Sequence, residues 1–178
     1  MGNINSKIKR HDEELKAEFN RWDYIKNNGS SDPFWADGVN MNLIRNHIIY
    51  ERRRIKELCS KEGLPLPDIY HSQIPPETDP DYMAKADEIT EQAKKTLELY
   101  KNDENFNKLK TVTNINNKNK ALIVKNVLVY MRELEEAISK GDLVSMRRHY
   151  NPETHLKAAK EAVDSLSEDD FCGQITFL

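Results

Sequence analysis

Apolar residues recur every three, four or seven positions at the start of the chain: Ile4, Ile8, Leu15, Phe19, Trp22 and Ile25, with His11 filling the gap in the row. Steps of that size place side chains on one stripe of an α-helix, and the spacing predicts an amphipathic helix over about 5–26. Asn27-Asn28-Gly29-Ser30-Ser31 carries turn chemistry and stops it. Asp32-Pro33-Phe34-Trp35-Ala36 follows as an aromatic knot in a loop, and Asp37 stands where the next helix needs a cap. Met41, Ile44, Ile48, Ile55 and Cys59 share one face of that helix. Gly63, with Pro65 and Pro67 beyond it, ends the helix, which spans about 38–62.

The pattern then breaks. Pro65, Pro67, Pro75, Pro76 and Pro80 cannot continue a helix, so 63–80 reads as an extended connector over the surface or a hinge. Its apolar residues Leu64, Leu66, Ile69, Tyr70 and Ile74 argue that it packs. Asp79 as cap and Pro80 in the first turn predict a third helix, with Met83, Ala86, Ile89, Ala93, Leu97 and Tyr100 on its apolar face and an end near Asn102. The Asn- and Lys-rich stretch 103–120 reads as a loop or a short, poor helix.

Val124, Val127, Met131, Leu134 and Ile138 form the clearest stripe in the chain. Ile123, Tyr130 and Ala137 widen it, and Leu122, Leu128 and Val129 lie off it. A helix apolar over so much of its girth is expected at the centre of a core. Gly141 ends it and Asp142 can cap a short helix reaching Tyr150. Asn151-Pro152-Glu153 restarts a helix with Leu156, Ala159, Val163 and Leu166 inward. The residues 171–178 change character and read as a docked, non-helical apolar tail.

The expectation is therefore an all-α protein: one irregular bundle of five or six helices over 1–178. It comprises an N-terminal helical pair (1–62), the Pro-rich connector (63–80), C-terminal helices (81–178) and a short tail.

With 178 residues, 38% of them apolar, 32% charged and a mean hydropathy of -0.80, the chain has no run long enough to span a membrane. Two cysteines, Cys59 and Cys172, indicate no disulfide framework and suit a reducing cytoplasm. Met1-Gly2-Asn3-Ile4-Asn5-Ser6 matches the N-myristoylation pattern, a short motif that recurs by chance.

The net charge of -3 conceals segregation. Residues 38–61 carry a net +4, 62–82 a net -5, 104–150 a net +4 and 151–178 a net -4. Such patches either steer a charged partner or neutralise one another.

Candidate chemistry is sparse. His47 and Glu51 are one helical turn apart and could share a metal or work as an acid–base pair; the alternative is a surface pair, or a buried pair satisfied by another helix. Arg52-Arg53-Arg54, with Arg45 and Lys56, surrounds the exposed face of the second helix and could meet phosphates or pair with the acidic connector. Phe34 and Trp35, near Trp22 and Tyr24, serve either core packing or an interface hot spot. Lys108, Lys110, Lys118, Lys120 and Lys125 have only Phe106 nearby for base stacking. His149 and His155 can approach across Pro152. No nucleophile has an evident base, and zinc, calcium and phosphate-loop spacings are absent.

The block Asp32-Pro33-Phe34-Trp35-Ala36-Asp37-Gly38-Val39-Asn40-Met41-Asn42-Leu43-Ile44-Arg45-Asn46-His47-Ile48-Ile49-Tyr50 resembles a segment of small proteins from phages and conjugative elements of Gram-positive bacteria. The resemblance implies a mobile-element accessory protein, a group that includes anti-CRISPR-like inhibitors of host defence. It carries over no catalytic residue.

The expectation is a non-enzymatic, cytoplasmic interaction module without a cofactor, docking on a larger protein such as a defence nuclease through Trp35, Arg45, His47, Glu51, Arg52 and Arg53. Two alternatives stay open: a nucleic-acid binder or processing protein using the basic face of the second helix, and a self-associating structural protein.

Overall fold

The computed structural model describes residues 2–112 and 114–170, so the expected tail 171–178 lies outside the described residues. Among these residues it is helical, without strands. The elements are α1 (Gly2–Asn28), α2 (Asp37–Glu62), a 3-10 turn (Asp68–His71), α3 (Ala86–Asn102), α4 (Glu104–Thr111), α5 (Lys118–Lys140), α6 (Leu143–Arg147), α7 (Pro152–Asp164) and a 3-10 turn (Glu168–Asp170). The chain divides into two compact units, 1–85 and 86–178.

The first unit is a helical hairpin with a strap. Leu15, Trp22 and Ile25 of α1 meet Met41, Ile44, Ile48, Ile55 and Cys59 of α2, the residues the periodicity selected, and Ile8 and Phe19 flank them. Each fully buried large side chain contributes roughly 1.5–3 kcal/mol of transfer free energy. Gly63 closes α2 in the left-handed region at φ 62°, and its N–H reaches the Cys59 carbonyl.

The Pro-rich segment belongs to this unit. Leu66, Ile69 and Tyr70 are partly buried against the hairpin core. One face of α2 holds the strap by its backbone. Asn42 donates to the Thr78 carbonyl at 2.8 Å and accepts from its N–H at 2.9 Å. Arg45 Nε donates to the Pro75 carbonyl at 3.1 Å, and Arg52 Nη1 to the Ser72 carbonyl at 3.3 Å. Arg52 also lies over the Tyr70 ring, 4.7 Å from its centroid. A proline-interrupted strand of chain cannot satisfy its own carbonyls, so α2 supplies donors at intervals of a helical turn or two.

Two expectations fail at the start of α2 and of α3, for one reason. Asp37 does not cap α2; Ala36 holds the cap position, and Asp37 is the first helical residue. Its buried carboxylate accepts from Ser30 N and Oγ at 2.9 and 2.8 Å, and from Ala84 N at 2.9 Å. Gly38 N donates to the Tyr82 carbonyl at 2.9 Å. These bonds draw 79–85 against the beginning of α2, and Lys85 turns away at φ 56°. The helix expected from Asp79-Pro80 therefore begins at Ala86. Local capping chemistry was present, and a buried tertiary acceptor outweighed it.

The second unit gathers around α5, which contacts α3, α4, α6 and α7. Val124, Val127, Met131, Leu134 and Ala137 are buried, as the stripe predicts. The expectation of burial around its girth is corrected at its first turns, where Leu122 and Ile123 are exposed. Residues 104–111, read as loop or poor helix, do form α4, which brings the helix count to seven rather than five or six among the described residues. Asp103 accepts from Phe106 N at 2.9 Å as the cap, and Phe106 and Leu109 are fully buried. Two anchors and one cap suffice for two turns. On α7, Pro152 occupies the first turn as expected, but Asn151 makes no side-chain cap bond.

Gly38 tests the strap. A Cβ there would lie 1.8 Å from the Asp79 carbonyl oxygen, a backbone atom that cannot move alone. Gly38→Ala is expected to lower the stability of the first unit by more than about 2 kcal/mol, read as a fall in the urea midpoint, whereas Gly63→Ala meets no contact and costs about 1 kcal/mol through its positive φ.

Candidate functional site

The sequence selected residues on the hairpin, and the structure separates them into different roles. Trp35 is 52% exposed and Phe34 64% exposed, while Trp22 is in the core at 6%. The aromatic group is thus divided between inside and outside. The loop that carries Trp35 is built by side-chain-to-backbone bonds: Asp32 Oδ1 accepts from Phe34 N at 2.8 Å and Trp35 N at 3.2 Å. That is an Asx-type turn, with its far end fixed by the Ser30–Asp37 bonds. Asp32 also lines a cleft of about 280 Å³ with Ser31, Asn40, Leu43 and His47.

His47 and Glu51 do not act as a pair. Glu51 faces the other helix, and His11 Nδ1 lies 2.5 Å from its Oε2 in a nearly buried contact. His47 is exposed, with Nδ1 3.7 Å from Glu18. Among the described residues no group of three or more His, Cys, Asp or Glu side chains could hold a metal ion. His11 sat on the apolar stripe of the first helix, and its place in that row was the signal that it turns inward.

The basic face of α2 is also reassigned. Arg45 and Arg52 are bonded to strap carbonyls, and Arg54 pairs with Glu57 at 2.7 Å. Arg53 is left in solvent. In the second unit, Lys108 pairs with Glu104 and Lys120 with Asp170, and Phe106 is fully enclosed. Base stacking on Phe106 is closed off.

The densest constellation of polar rings lies in the second unit. Tyr100 Oη lies 2.5 Å from His155 Nδ1 and 3.4 Å from His149 Nδ1. The two imidazole centroids are 5.1 Å apart, Tyr130 stacks on His155 at 4.0 Å, and Phe106 stacks on Tyr100 at 5.0 Å. The proximity of His149 and His155 was readable from the Pro152 junction. Tyr100, on the apolar face of α3, gave no sign that its hydroxyl joins them.

Burial, then His155 and Arg148, push His149 down to about 4. Burial lowers His155 as well, opposed by Glu133. Tyr100 is raised by burial and by Tyr130, which keeps its phenol protonated. His149 lines a cleft of about 220 Å³ with Glu133, Glu136, Lys140, Asp142 and Arg148.

Comparison with family models, with curated proteins and with solved structures finds no match to this chain.

Because His149 titrates lower when folded, the unfolded chain takes up the proton first. Stability contributed by the neutral ring is complete above pH 6.5 and is lost as pH falls toward 4, at most about 3 kcal/mol. Urea midpoints between pH 7.5 and 4 follow this in the parent, and His149→Phe flattens that part of the profile. On the hairpin, His11→Ala costs about 1–3 kcal/mol by stranding Glu51, whereas His47→Ala stays within about 0.5 kcal/mol, both measured by thermal unfolding.

Proposed function

We propose that this chain is a helical protein–protein interaction module of a mobile element, acting as an inhibitor of a host defence nuclease, with Trp35 as the anchor that enters its partner. The observation that carries this reading is Trp35 itself: a large aromatic side chain half in solvent, on a loop whose backbone is held by Asp32 and Asp37. A pre-ordered aromatic loses little conformational freedom on docking, which is why tryptophan concentrates binding energy at interfaces. The resemblance of 32–50 to phage and conjugative-element segments supports the biological setting.

The nucleic-acid alternative loses ground because Arg45 and Arg52 face the strap, leaving fewer cations for a row of phosphates. Self-association is favoured by one observation, the exposed Leu122 and Ile123 on α5. A monomer by light scattering at high concentration removes it.

The chain expressed in a Gram-positive host with active nuclease immunity is expected to restore plaque formation by a targeted phage and to retain a stoichiometric host nuclease on affinity purification. Trp35→Ala, with an unchanged helical circular dichroism spectrum, loses both effects by at least about tenfold. A wild-type chain that neither restores plaques nor retains a partner ends the reading.

A further inference from the structure

The described part of the second unit ends at a pinned residue. Asp170 is only 6% exposed. Its carboxylate accepts from Ser167 N and Oγ, both at 2.8 Å, and from Lys120 Nζ at 2.6 Å. Its carbonyl accepts from Asn116 N at 2.9 Å. Asn116 stands just before α5 and Lys120 in its first turn, so the residues after Asp170 set out from the start of α5.

A cleft of about 410 Å³ lies at that place. Ala121, Val124, Leu128 and Val129 line it from α5, and Val112 and Ile115 from the segment between α4 and α5. Val124 is buried and the other five are half-buried. Leu128 and Val129 lie off the stripe that α5 sends into the core, so this helix carries a second apolar face. That face is built from its own helical spacing, from Ala121 to Arg132 at the far end.

We propose that residues 171–178 of this chain occupy the cleft, running from Asp170 along α5 toward Arg132. The reach is sufficient: eight extended residues span about 26 Å, and the face from Ala121 to Arg132 is about 16 Å long. The composition fits as well. Phe171, Ile175 and Phe177 fall on one side of an extended chain, and Gln174 and Thr176 on the other. Three large apolar side chains then cover apolar walls while the amide and the hydroxyl stay in water. None of the eight residues is charged, so the segment brings no charge into the cleft, and Lys125 and Arg132 keep theirs exposed at its edge. The tether at Asp170 holds the segment at an effective concentration on the order of millimolar, which a separate partner has to outcompete. The cleft is independent of the Trp35 loop, and the failure of either reading leaves the other standing.

The test uses the full ¹⁵N-labelled chain with Cys172→Ser and Thr176→Cys, the new thiol carrying a nitroxide; Cys59 is enclosed in the hairpin core and stays unlabelled. Paramagnetic broadening of backbone amides is expected to be strongest at Val129 and Arg132 and to weaken toward Ala121. The opposite gradient, strongest around Asn116 and Lys120 where the segment is tied, overturns the proposal. A sample mixing nitroxide-bearing chain without ¹⁵N and unlabelled-thiol chain with ¹⁵N is expected to show no broadening at Val129; broadening there assigns the occupant to a second copy and also overturns it. Adding Phe177→Ser, which lies outside the helical core, shifts the balance about tenfold toward the released segment, the effect of withdrawing one buried aromatic side chain. An unchanged gradient in that variant counts against the proposal as decisively as a reversed one in the parent.

Discussion

The carboxylate of Asp37 is the constraint around which the first unit is arranged. A buried carboxylate must collect hydrogen bonds, because no water replaces those it gave up. Asp37 collects them from Ser30 on one side of the chain and Ala84 on the other. The turn after α1, the start of α2 and the end of the strap therefore meet at one residue. Gly38 is required beside it, since the Asp79 carbonyl occupies the space of a Cβ.

From that junction the positions of the candidate residues follow. With the end of the strap tied at Ala84, the proline-rich chain runs along α2, and its carbonyls need donors that prolines cannot provide. Asn42, Arg45 and Arg52 provide them. Cations that look like a phosphate-binding face are thereby committed to main-chain oxygens. The same junction fixes the base of the loop that carries Trp35, so an aromatic ring stays in water on an ordered backbone rather than folding inward.

The second unit solves a different problem, that of polar rings inside a helical core. Tyr100 Oη has one donor and can also accept, and it sits between the Nδ1 atoms of two imidazoles. The contacts engage one nitrogen of each imidazole, and Tyr130 and Phe106 enclose the group by stacking.

Most of the helices, and the apolar face of each, were determined by the sequence alone; the start of α3 and the helicity of α4 were not. The stripes Leu15–Trp22–Ile25, Met41–Ile44–Ile48–Ile55 and Val124–Val127–Met131–Leu134 are all buried, because periodicity is a local property of the chain. The glycine ends at Gly63 and Gly141 were equally legible, because a left-handed residue is a local need. What only the tertiary structure decided is pairing. Glu51 meets His11 rather than His47, Asp37 meets Ala84 rather than its own helix, and Tyr100 meets residues about fifty positions away. A side chain one turn from another is a neighbour by geometry. A buried polar group takes its partner from whichever element the core packs against it, and spacing along the chain carries no record of that choice.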